Sequence, residues 1–243
     1  MKFDYTVTAP PINPHIHIGK RSAYHQAGHV AAIYLGNQQK NLPAVHFQLA
    51  VKPYKQETGC TGRYARISNK CAVRLEGGRL LPDLPCSYEM ATRHLTLAER
   101  QQCQCAFEAD VINLLAGSLA EAKYVALRDG EVFNANLVYL GALKFYSGSG
   151  DLAIVNEYMN CLFQDNKAER KQKLTELFLA AYSFVNDRAN WLAITRLAEA
   201  IHGNLHDVFT CDELIGLLES ASLVDRGLPT SYSFINALEF VPH

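Results

Sequence analysis

The chain has 243 residues, 49% of them apolar and 19% charged, with a formal net charge of -1. That is the profile of a globular protein long enough to bury a sizeable core, as one domain or a domain with an appendage. Scattered Lys and Arg residues argue against a nucleic-acid or acidic-membrane partner, and no apolar run approaches the ~20 residues a membrane span needs.

Residues 1–21 carry Pro10, Pro11 and Pro14 with His15-x-His17 and read as an irregular lead-in. No apolar stretch follows Met1, so no export signal is expected. His15 and His17 would share one side of a strand and could chelate a metal, or they belong to a surface segment. Ala23, Ala27, Val30, Ala31 and Tyr34 recur at three- and four-residue steps, which predicts an amphipathic helix with Ser22 as N-cap and Gly36 as its stop. Ala27 and Gly28 would let a neighbouring backbone approach closely.

The period then changes. Val45 to Val51 is β-prone, residues 52–59 turn, and Cys60 to Ile67 reads as a return strand. So few strands need helices to pack on. Residues 68–95, with Gly77-Gly78, Pro82 and Pro85, lack clear periodicity and read as a loop insertion. Thr96-Leu97-Ala98-Glu99 is a capping box opening a helix of roughly 30 residues through Val125, with Gly117 as a point of close packing or a kink. After a connector over 129–150, a third helix begins near Asp151. Residues 167–202 follow as one or two helices, and Thr210-x-x-Glu213 caps the last. The cysteines at 60, 71, 86, 103, 105, 161 and 211 form no regular framework and read as free thiols in a reducing cytoplasm. Cys103-x-Cys105 sits in a helical pattern and is a weak metal signal.

His25-Gln26-Ala27-Gly28-His29 places two imidazoles four residues apart on one helix face, as one metal ion requires. Spacing alone is weak support, because His202 and His206 share it. There, Gly203-Asn204 interrupts the helix.

Around the first pair the residues resemble a family. Tyr24 to Ala31 resembles the H-E-A-G-H helix of the FtsH-type AAA+ zinc metalloproteases, with Gln26 where the family has glutamate. Val45 to Tyr64 resembles the strand–turn–strand that follows. Leu115-Ala116-Gly117-Ser118-Leu119-Ala120-Glu121 is similar to its A-G-R-x-A-E segment, and Ser147 to Leu152 to its G-A-S-N-D-L segment. Leu197 to Ala200 resembles part of its closing helical hairpin. The resemblance implies a mainly α fold with a small antiparallel β-sheet (α+β), one peptidase-like domain over 1–243, and Zn2+ held by His25, His29 and Asp151. It implies that Glu121 orients a zinc-bound histidine, against the plainer reading of a solvated acid. It also implies that Gln26 stands at the general base, so peptide hydrolysis is impaired. Peptide or unfolded protein would bind along a strand edge. No G-x-x-x-x-G-K-S/T motif occurs, so an AAA+ ATPase would be a separate partner. Two alternatives stay open: a non-enzymatic protein-binding adaptor, or a helical protein without metal.

Overall fold

The computed structural model describes residues 18–53, 71–163, 166–203 and 206–225. His15, His17 and the expected return strand at Cys60–Ile67 lie outside them. Helix α1, Lys20–Ala31, starts two residues before Ser22, from an extended Gly19, so Ser22 is not its cap and residues 20–21 leave the lead-in. Gly36 does not stop it either. The chain passes through one π-helical turn, Ala32–Gly36, into a short α2, Asn37–Gln39. It ends where Asn41 turns left-handed (φ 53°), with Leu42 N–H on the Asn37 carbonyl and Asn41 N–H on the Gln38 carbonyl. That is a Schellman stop, and asparagine tolerates the left-handed residue it needs.

Strand β1, Phe47–Pro53, is the middle of an antiparallel sheet between β2, Cys71–Gly77, and a short β3, Val208–Phe209. The strand pairing fully with β1 therefore comes from the 68–95 stretch, which is not simply a loop. Phe47, Leu49, Val51 and Val73 are buried against the helices, whereas Gln48 donates to Glu76 on the other face. This is the period-two alternation of a half-buried sheet. Left-handed Gly77 and Gly78 (φ 78° and 81°) then turn the chain away from β2.

The other described α-helices are α3, Tyr88–Thr92; α4, Leu97–Arg128; α5, Ser149–Leu162, preceded by a 3-10 turn at Leu140–Phe145; α6, Lys167–Asn186; α7, Arg188–Gly203; and α8, Cys211–Asp225. The Thr96–Glu99 capping box forms in both directions. Helix α4 is the axis, buried on nearly all sides from Phe107 to Lys123 and packed by α1, α5 and α6. One buried apolar cluster runs from Ile18 through α1, the sheet and α4 to Leu218 of α8. Each fully buried Leu or Phe in it contributes about 1.5–3 kcal/mol. Where α1 crosses α4, a Cβ on Gly28 would come within 2.6 Å of the Ala116 carbonyl oxygen, so only glycine fits. That close crossing brings the face of α1 bearing His25 and His29 against α4. No described helix is long and apolar enough to cross a membrane.

Candidate metal centre

Three side chains from two helices meet at one point. Helix α1 contributes His25 and His29, both buried, and the first turn of α5 contributes Asp151. The Nε2 atoms of the histidines are 3.0 Å apart, and Asp151 Oδ2 lies 3.2 Å from His25 Nε2 and 3.5 Å from His29 Nε2. A tetrahedral ion with bonds of about 2.0–2.1 Å needs donors about 3.3 Å apart, which is the edge of this triangle. Among the described residues, no other group of His, Cys, Asp and Glu converges in this way.

Each imidazole has an α4 group behind it. His29 Nδ1 is 2.8 Å from the Asn113 carbonyl of α4, which can only accept, so Nδ1 carries the proton and Nε2 presents a lone pair to the centre. The ring fits because residue 117 is glycine: a Cβ there would collide with the imidazole. His25 Nδ1 faces Glu121 Oε2 at 3.4 Å, although the two are too poorly aligned to hydrogen-bond. Glu121 is fully buried, and its other oxygen takes the Arg21 Nε–H at 2.7 Å. Arg21 also donates to the Phe145 carbonyl, tying α1 to the turn that enters α5. In that turn Ser147 is left-handed (φ 58°), and Gly148 packs against Ser118 too closely for any side chain. Asp151 is thereby presented from a fixed helix start, where the dipole favours its ionised form.

The electrostatics suit a cation. Burial disfavours the charged His25 imidazole, but the carboxylates of Asp151 and Glu121 outweigh it and raise its pKa to about 9. Burial also works against the Asp151 carboxylate, yet the two imidazoles hold its pKa far below the usual range. Glu121 is likewise lowered despite burial, by His25, Ser147 and Arg21. Asp151 Oδ2 is buried without a hydrogen-bond partner. Three ligand atoms converging in a buried site, one of them without a hydrogen-bond partner, suit a metal ion that takes the place of the His25 proton.

Beside the triangle lies a cavity of about 310 Å³, lined by Gln26, Ile33, residues 73–75, Gly77 to Arg79, Asp110 and Ser147 among others. Its far wall is β2. Asp110 fixes the chain just beyond that strand: its carboxylate accepts from Leu80 N–H, Leu81 N–H and the Tyr158 hydroxyl. Gln26 lines the cavity next to the triangle, with Nε2 donating to the Val73 carbonyl at 3.2 Å.

The structure thus brings together His25, His29, Asp151, Gln26 and Glu121. Arg21, Asn113, Val73 and Asp110 are absent from the sequence reading, because each acts through a backbone group or a residue distant in the chain. The second histidine pair separates: His202 Nδ1 bonds the Ile18 carbonyl at 2.7 Å, and exposed His206 lies beyond the end of α7 against Phe209. Cys103 and Cys105 belong to no metal-sized group among the described residues. Comparison with protein-family models, curated proteins and solved structures finds no match to this chain.

Proposed function

We propose that the chain is a zinc-binding, peptidase-like domain related to the FtsH-type proteases, with peptide-bond hydrolysis impaired at Gln26. The observation that carries this reading is the triangle of His25, His29 and Asp151, with donor spacing of 3.0–3.5 Å. Two histidines and one carboxylate leave a fourth position open, as in catalytic rather than structural zinc sites. A bound zinc ion would supply Lewis-acid polarisation of a carbonyl. The chain's residues would do the rest. Asn113 holds the His29 imidazole with Nε2 inward, Glu121 faces Nδ1 of His25 as a charge partner, and the outer edge of β2, unpaired among the described residues, offers backbone groups to an extended peptide.

What is missing is a proton acceptor. Gln26 has the shape of glutamate but no basic carboxylate, and loss of a positioned general base costs ~10²–10⁴ in rate. The proposed setting is the cytoplasm, where cysteines stay reduced. An AAA+ ATPase on another polypeptide would deliver unfolded substrate. Zinc-loaded wild type and Gln26→Glu, each given unfolded casein, test the reading. Cleavage should be faint or absent in wild type and clear in the variant. Equal cleavage by both would remove the impairment, and failure of wild type to take up zinc would remove the whole reading.

A further inference from the structure

The position of Gln26 supports more than a missing base. In the β1–β2 pairing, Val51 lies opposite Val73, and Val51 N–H points away from β2 to the Asp207 carbonyl. Val51 and Val73 are thus a non-hydrogen-bonded pair, so the N–H and C=O of Val73 point outward, away from β1. The same alternation turns Leu75 and Gly77 outward, while Gly78 N–H points inward to the His46 carbonyl. Among the described residues, this outer edge of β2 pairs with no other strand. On this edge the Val73 carbonyl takes the Gln26 amide. The amide is oriented by that bond, since a carbonyl accepts only from the NH2 end, and Gln26 Oε1 is left buried without a partner.

We propose that Gln26 is a positioning residue that buckles α1 to the edge strand β2, occupying the backbone acceptor that an incoming peptide would need next to the metal centre. Glutamate could not do this, because an ionised carboxylate has no hydrogen to give the Val73 carbonyl and would face its oxygen at close range. The difference between Gln26 and glutamate therefore changes both the chemistry and the geometry of the cleft. Among the described residues no strand stands in the way of a peptide pairing with Leu75 and Gly77, but it reaches Val73 only by displacing the Gln26 side chain. This consequence for peptides rests on the proposed reading of the cleft; the buckle itself does not.

The test is hydrogen exchange on the full-length, zinc-supplemented protein, comparing wild type with Gln26→Met and Gln26→Glu. Methionine keeps the shape and removes only the donor. Loss of one hydrogen bond should raise exchange across 71–77 about 2- to 10-fold in both variants, with α4 unchanged. Unchanged exchange in Gln26→Met, or faster exchange in Gln26→Glu alone, would overturn the buckle, since packing or charge would then explain the contact. Should the variants lose protection in α4 as well, wild type decides by itself. The Gln26 side-chain amide protons should exchange with solvent several-fold more slowly than those of exposed Gln38, and equal rates would overturn the proposal. Zinc content measured on the same samples separates the two ideas. A wild type without zinc ends the metal reading and leaves the exchange comparison valid.

Discussion

His25–His29 and His202–His206 have the same spacing and opposite fates. The first pair sits mid-helix on a face pressed into α4 and turns both Nε2 atoms to one point. The second straddles the end of α7 at Gly203; one ring is spent on the Ile18 carbonyl, and the other stands exposed. Four-residue spacing gives two imidazoles a common side only while the helix continues. It becomes a site only when other elements fix the rings and add a third donor. For the first pair, α4 supplies the Asn113 carbonyl, Glu121 and the space at Gly117, and α5 supplies Asp151.

The largest contrast should appear on removing single rings. His25→Ala or His29→Ala should abolish stoichiometric zinc, while His202→Ala should retain it, as measured by mass spectrometry of native protein. Retention of zinc by either of the first two would erase the distinction between the pairs. Next in size is Glu121→Gln, which leaves the donors but weakens the partner of His25. Zinc affinity should fall ~10- to 100-fold, the usual cost of losing such support, as read by competition with a chelator.

Charge offers a third contrast. In zinc-free protein, the His25 pKa is raised from 6.5 to about 9, so the folded state binds its proton more tightly than the unfolded state does. Its contribution to stability is full below about pH 6.5 and is lost as pH rises through about 9. Chelator-treated protein should therefore melt at a lower temperature at pH 9 than at pH 6.5, and His25→Ala should flatten that part of the profile. A profile insensitive to the substitution would mean the two carboxylates do not act on His25. The smallest effect belongs to His206→Ala. As an exposed residue its loss should change stability by less than ~0.5 kcal/mol, with zinc binding unaltered.

Much of this centre was legible because its donors carry chemical labels. Two histidines on a periodic helix and an aspartate opening another helix can be found by spacing and order. The capping box at Thr96 was equally plain, since its bonds are local. Support from the backbone was not legible. Asn113 serves His29 through a carbonyl that any residue would offer, and Asp110 binds two amides about 30 positions upstream. The strand at Cys71–Gly77 did carry a signal, with Val73 and Leu75 alternating with Arg74 and Glu76. The glycine pair after it and the prolines beyond made the stretch read as a loop. The helix stop was misplaced for a related reason: Gly36 is helical, and Asn41 supplies the left-handed residue. Gln26 stands out as a substitution in a motif, but its hydrogen bond to Val73 depends on β2, a strand that the neighbouring glycines and prolines disguise.

Crystals grown with one equivalent of zinc, measured at the zinc absorption edge, address the centre most directly. One anomalous peak is expected per chain, about 2.0–2.2 Å from His25 Nε2, His29 Nε2 and an Asp151 carboxylate oxygen. No peak there, or a peak on other side chains with these three donors unbound, would show that the triangle is not a zinc site.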